Sequence, residues 1–228
     1  MIIKTAVLDL DGTLLSSQDN ISQRNLDTVN LAHKKGIKII IASGRRYSSI
    51  TPYLTSFDFL CPVIAYSGSW IVESPEKNPL IQYKVSWEPV SDLIRRIKGQ
   101  VEMIGVYIND LLYLDNRNLY SQKYENRINH RAKLVPDLAF FLESEKIDPT
   151  RLLIISDRTE SLDKLYKEVM EIYRGKLDFV KSGPTFLEAG KIGITKGSSL
   201  MLYASLRGLN LDEAVAFGDQ ENDIPSFR

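Results

Sequence analysis

Four stretches of the chain are apolar almost without interruption, and each stops at small or polar residues. Ile2 to Leu10 closes on Asp11, Gly12 and Thr13; IKIIIA at 37–42 on Ser43, Gly44 and Arg45; PVIAY at 62–66 on Ser67, Gly68 and Ser69; and AVAF at 214–217 on GDQEND. A strand with one face in water alternates apolar and polar residues, whereas a continuous run belongs to a strand covered on both faces, as in a parallel sheet. Between the first two runs lies a helix pattern. Ser22 is placed to cap it, Ile21 and Leu26 to staple its start, Leu26, Val29 and His33 share a face, and Gly36 follows its end. Strand, helix and strand in this length make a right-handed βαβ unit. A second helix is predicted from Arg45 to about Phe57 around Pro52, and a third opens at Lys196, carries Leu200, Tyr203 and Leu206, and stops at Gly208. The class is α/β, a doubly wound, Rossmann-like parallel sheet. In such sheets a ligand sits beyond the carboxyl ends of the strands, so the polar tips point at one crevice.

The rhythm changes in the middle of the chain. VEMIGVYI at 101–108 and DLLYLD at 110–115 are half-exposed strands joined at Asn109-Asp110 like a hairpin. Polar helices follow around 118–129 and 160–174, with RLLIIS at 151–156 between them. We read residues 80–189 as an inserted α+β cap and residues 1–79 and 190–228 as the core domain.

At 228 residues and 25.9 kDa, with 43% hydrophobic and 25% charged residues, the composition supports folded, globular domains. Lys plus Arg and Asp plus Glu number 29 each, so there is no net field to gather nucleic acid or an anionic membrane, and neither is expected as a partner. The single cysteine, Cys61, excludes an intrachain disulfide and points to the reducing cytosol, hence to a cytoplasmic protein. No stretch of 18 apolar residues occurs.

The strand tips carry the chemistry. Asp9 and Asp11 flank Leu10 where the chain leaves its strand, so two carboxylates approach one ligand from different sides. One can attack phosphorus while the other gives a proton to the leaving oxygen and later takes one from water. A carboxylate nucleophile repels a phosphoryl group unless cations offset the charge. With Asp9, Asp219 and Asp223 make an oxygen-rich site suited to Mg²⁺. Lys196 at a helix start and Ser43 with the Gly44 backbone N–H offer anchors for phosphate oxygens.

DLDGTLL at 9–15, ASGR at 42–45, KG at 196–197 and GDQENDIP at 218–225 resemble, in order, the four motifs of haloacid dehalogenase superfamily phosphatases. The insertion between the second and third is similar to the cap of the Cof-type subfamily, which acts mostly on sugar phosphates and other small phosphometabolites. The resemblance implies Mg²⁺-dependent phosphomonoester hydrolysis with Asp9 as nucleophile, Asp11 as general acid/base, and a cap that selects substrate and excludes water. It places Ser43, Gly44, Thr13 and Lys196 at the phosphoryl group. Asp9, the carbonyl of Asp11 and Asp219 would hold the metal, with Asp223 holding its waters and Asn222 assisting. Arg45 would orient phosphate or cap.

The third tip departs from the family pattern, with Ser67-Gly68 where many relatives carry Asn-Gly. The chain also stops at Arg228, where relatives continue, so the C-terminal part of the core is read as missing, with marginal stability or self-association through the exposed sheet edge expected. A monomer or weak homo-oligomer follows. Two other readings stay open: a phosphate-binding or regulatory protein of the same fold, and a signalling receiver domain, against which Asp11 and the insertion argue. His33, His130, Trp70, Trp87 and the tyrosines 107, 113, 120 and 124 are expected to pack, and Glu188 and Lys191 to be solvated.

Overall fold

The four apolar runs lie side by side in one sheet. The computed structural model describes residues 2–74, 78–219 and 223, and its contacts divide the chain into two units, Met1–Gln82 with Ile194–Arg228, and Tyr83–Gly193.

The first unit begins with β1 (Thr5–Leu8), all four residues buried, followed by α1 (Gln23–Lys34) and β2 (Lys38–Ala42). The Ser22 side chain accepts the Asn25 N–H at the start of α1, as its sequence predicts. Helix α2 runs over Tyr47–Leu54, shorter than the span expected, and contains Pro52. Pro52 has no N–H to give to the Ser48 carbonyl one turn back, and the Thr51 hydroxyl donates to that carbonyl instead. After α2 come β3 (Val63–Ala65), β4 (Trp70–Val72) and β5 (Ile81–Gln82). β3 pairs antiparallel with β4, and β4 with β5. Residues 66–69 are too short a connection for the crossover that parallel strands need, so β4 and β5 add an antiparallel edge to the parallel strands expected from the sequence.

The second unit opens with α3 (Trp87–Ile97), then β6 (Met103–Ile108) and β7 (Leu111–Leu114). The two strands pair antiparallel across Asn109 and Asp110, whose φ values of 49° and 66° are those of a two-residue hairpin turn matched to strand twist. There follow α4 (Leu119–Arg127), β8 (Lys133–Leu134), α5 (Leu138–Glu145), β9 (Arg151–Ile155), α6 (Thr159–Ile172), β10 (Asp178–Gly183) and β11 (Phe186–Gly190). The sheet order is β10-β11-β9-β6-β7-β8. Val106, Ile108, Leu152 and Ile154 pack with Leu93 and Ile97 of α3 and Leu162 and Val169 of α6. These strand residues occupy alternate positions, so one face of the sheet makes that core. On the alternate positions Arg151 and Glu188 form an ion pair at 3.1 Å, and Ser182 donates to the same carboxylate at 2.8 Å. Glu188 was expected to be solvated. The Arg151 side chain, only 5% exposed, draws it in instead.

The chain then returns to the first unit. Helix α7 (Lys196–Arg207) carries a reciprocal cap between Thr195 and Ser198 and ends at Gly208, whose φ is 62°. Leu200 and Tyr203 are buried, while Leu206 is exposed. β12 (Ala214–Phe217) pairs parallel with β1, giving the sheet order β12-β1-β2-β3-β4-β5. Val7, Ile40, Ile64 and Ile71 from four adjacent strands pack with Leu200 and Tyr203 of α7. Among the described residues, no helix is long and apolar enough to cross a membrane.

Candidate active site

Beyond β1 the backbone makes one wide turn, in which the Leu15 N–H reaches back to the Leu10 carbonyl at 2.8 Å. Gly12 sits in it at φ 76°, and a Cβ there would collide with the Asp219 carboxylate. Only glycine accepts both the left-handed backbone and that close approach. The turn swings Asp9 inward and Asp11 outward. Asp9 is 5% exposed, with its N–H tied to the Phe217 carbonyl at 3.0 Å, which locks the tips of β1 and β12 together.

The Asp9 carboxylate meets the ammonium of Lys196, the first residue of α7 and itself 2% exposed. Lys196 Nζ donates to Oδ1 of Asp9 and to Oδ1 of Asp223, each at 2.6 Å. The other Asp223 oxygen accepts the Asp219 N–H at 3.2 Å. Burial pushes the Asp9 carboxyl up to about 6; the Lys196 charge and hydrogen bond pull it back down, and the neighbouring Asp223 raises it. The pocket therefore leaves its nucleophile candidate short of positive charge.

One carboxylate oxygen from each of Asp9, Asp219 and Asp223 lies within 4.8 Å of the others. Three hard anionic oxygens on rigid strand tips fit a small divalent cation that prefers oxygen ligands and keeps several waters. Asp219 faces solvent while its two partners are buried, which leaves an approach to the cluster.

Asp11 is held in a second cluster. Arg45 forks onto it, Nε to Oδ2 at 2.9 Å and Nη2 to Oδ1 at 2.7 Å. Burial works against the Arg45 charge, but hydrogen bonds to Asp11 and Asp19 outweigh it and hold the guanidinium more firmly protonated than usual. Ser43 is fully buried, and its hydroxyl accepts the Arg45 N–H at 3.1 Å. Leu8 of β1 is in register with Ile41 of β2, so Asp9 and Ser43 lie just beyond the ends of neighbouring parallel strands. Gly44 follows in the same tip, and Thr13 lies in the wide turn.

At the third tip, Tyr66, Ser67 and Gly68 have φ values of 53°, 51° and 112°. The Ser67 N–H donates to the Ser43 carbonyl at 3.0 Å, and the Ser199 hydroxyl of α7 to the Gly68 carbonyl at 2.7 Å. A Cβ on Gly68 would strike the Thr195 carbonyl, so this glycine sets how closely the third tip and the start of α7 approach.

Thus the structure joins Asp9, Lys196, Asp219 and Asp223 in one cluster, and Asp11, Arg45 and Ser43 in another. Asn222 lies outside the described residues. Asp19 and Tyr53, neither of them expected at the site, share Arg45 with Asp11. A polar turn and a helical tyrosine carry no spacing signal, and only the fold shows their convergence. Cys61 is buried, and burial pushes its thiol up to about 12, so it is inert packing.

A family model described as haloacid dehalogenase-like hydrolase matches residues 6–228. The chain is similar to the crystal structure of a Thermotoga maritima protein, with 30% identity and a TM-score of 0.84 over 99% of this chain and 83% of that one. It also resembles a haloacid dehalogenase-like hydrolase from Bacteroides thetaiotaomicron, with 28% identity and a TM-score of 0.85 over 98% and 84% of the two chains. The 5-amino-6-(5-phospho-D-ribitylamino)uracil phosphatase YcsE of Bacillus subtilis is 25% identical over 99% of this chain and 80% of its own.

Proposed function

The chain belongs to the haloacid dehalogenase-like hydrolases, in their Cof-type branch, and on that premise we propose a phosphatase that hydrolyses a small phosphorylated metabolite through a phospho-Asp9 intermediate. The observation that carries the reading is the Lys196 ammonium, buried between Asp9 and Asp223 beside a third carboxylate. A structural ion pair needs one acid for one base; here two buried acids share one ammonium with a third carboxylate close by, a shortage of positive charge that a divalent cation would offset. A sugar phosphate or similar phosphomonoester is the substrate class, supported by a Bacillus subtilis relative named for a phosphorylated ribityl compound.

Asp9 attacks phosphorus with a carboxylate oxygen as the bond to the leaving oxygen breaks, and Asp11 gives that oxygen a proton. Asp11, now a carboxylate, next takes a proton from the water that attacks phosphorus. The bond to Asp9 breaks, and inorganic phosphate and the original carboxylate are restored. Lys196 and the Ser43 hydroxyl, with the N–H of Gly44 and the Thr13 side chain nearby, hold the phosphate oxygens and spread their charge. Asp9, Asp219 and the Asp11 carbonyl would hold Mg²⁺, with Asp223 and Asn222 positioning its waters. Once bound, the ion supplies the positive charge that lets an anionic nucleophile approach an anionic phosphate.

The test is phosphate release from 4-nitrophenyl phosphate and a sugar-phosphate panel, with Mg²⁺ and with chelator. Release that depends on Mg²⁺ and vanishes in Asp9→Asn is expected. Undiminished turnover in Asp9→Asn would overturn the covalent route, and saturable binding without release would favour a phosphate-binding protein.

A further inference from the structure

We propose that Asp19 and Tyr53 are positioning residues for the proton-transfer step, acting through Arg45 on Asp11; this rests on the acid/base role proposed for Asp11. Three segments separate in the chain meet at one guanidinium. Arg45 Nη1 donates to the Tyr53 hydroxyl at 2.8 Å, the hydroxyl donates to Oδ2 of Asp19 at 2.8 Å, and Arg45 Nη2 donates to Oδ1 of Asp19. The ring of three groups is closed. It fixes the plane of the guanidinium and leaves the Nε and Nη2 edge to fork onto Asp11. The Arg45 Cζ also lies 5.2 Å from the centre of the Tyr53 ring, so the phenol steadies the arginine by its face as well as its hydroxyl.

The turn that presents Asp19 is built for that placement. The Asp19 N–H returns to the Ser16 carbonyl at 3.0 Å, the Ser16 N–H donates to the Asn20 carbonyl at 2.8 Å, and Asp19 itself takes a left-handed backbone with φ 58°. An exposed ion pair would contribute little to stability, and the Asp19 side chain is 60% exposed. Its consequence lies in geometry. When Asp11 gives up its proton to the leaving oxygen it becomes a carboxylate, and a guanidinium already oriented toward it stabilises that charge without moving. A free Arg45 would have to be ordered during the step.

The experiment compares an alkyl phosphate from the turned-over panel, whose leaving oxygen needs a proton, with 4-nitrophenyl phosphate, whose leaving group needs little help. Tyr53→Phe and Asp19→Ala are expected to lower kcat on the alkyl phosphate roughly five- to tenfold, the scale of one ordinary hydrogen bond. On the aryl phosphate the loss stays below about twofold, KM is nearly unchanged on both, and in an Arg45→Lys background Asp19→Ala has no further effect. Equal losses on both substrates, unchanged kcat, or a loss that persists without Arg45 would overturn the positioning role. Asp11→Asn separates the two claims. If it loses far more on the alkyl phosphate while Tyr53→Phe does not, the Asp19–Tyr53 role alone fails; if Asp11→Asn shows no such discrimination, the acid/base reading fails and this inference with it.

Discussion

The Ser199 hydroxyl donates to the carbonyl of Gly68 at 2.7 Å, across 131 positions of sequence, and pins α7 to the tip of β3. Both groups are buried, and Lys196 lies one helical turn before Ser199 on the same helix. The hydrogen bond thereby helps set where the ammonium stands. Ser199→Ala leaves a buried carbonyl without this donor and is expected to cost about 1–3 kcal/mol. At roughly 2–4 °C per kcal/mol for a chain of this size, thermal melts resolve it. No change in melting would mean that α7 is held by apolar packing alone.

Lys196→Met removes the shared counter-charge of two buried carboxylates. Breaking a buried ion pair from one side costs about 3–5 kcal/mol, because the remaining charge is left without compensation. Phosphatase activity is expected to disappear. The stability deficit, measured by denaturant melts with chelator, should shrink when Mg²⁺ is added, since a bound cation takes over part of the neutralisation. A deficit independent of Mg²⁺ would separate Lys196 from the metal cluster.

Glu73 follows β4 and receives two hydrogen bonds from Arg207 and one from Tyr203 of α7. The Arg207 hydrogen bonds hold its carboxyl below the ordinary value, with burial opposing. Because the folded form binds its proton less readily than the unfolded form, the stabilisation is present in full above the unfolded value and is lost as pH falls through the folded one. With side chains 28% and 38% exposed, the pair is worth only about 0.5–1 kcal/mol. Urea melts of Glu73→Gln against the parent should differ by that amount at pH 7 and converge toward pH 3. A difference that grows in acid would reverse the sign of the argument.

In the second unit, Glu188→Ala removes the carboxylate that pairs with the Arg151 guanidinium on the sheet. A loss of about 3 kcal/mol is expected, and the double variant Arg151→Met with Glu188→Gln should recover most of it, because a neutral pair carries no unpaired charge. Hydrogen exchange confined to residues 83–193 would show the effect. A double variant less stable than the single one would show that the ion pair contributes net stability.

What the sequence made legible is what burial writes into it. β1, β2 and β3 are buried enough to read as apolar runs, while β12, equally apolar in sequence, is only half-buried and leaves Phe217 exposed; Asn109-Asp110 has the left-handed backbone that suits a two-residue hairpin. The β4–β5 hairpin left little trace, since strands of three and two residues are too short to show a period. Asp9, Lys196, Asp219 and Asp223 stood out as polar residues at strand and helix ends. Glu188 was misjudged because a lone acid in a strand usually faces water; its burial depends on Arg151, a partner visible only in the pairing of β9 with β11. For the same reason Asp19 and Tyr53 escaped notice, their meeting at Arg45 being a product of three loops and helices rather than of any spacing.

Lys196 follows Asp9 by 187 positions, which at about 5–20 residues per second is roughly 10–40 s of translation. During that interval the newly made β1 and β2 can pair, and the intervening unit can fold as a body of its own. The Asp9 carboxylate meanwhile has no ammonium to be buried against and stays in water, since burial without a counter-charge is costly. Contacts of such long range carry the entropy cost of loop closure first and form slowly. The pocket around Asp9 is thus a late product of synthesis.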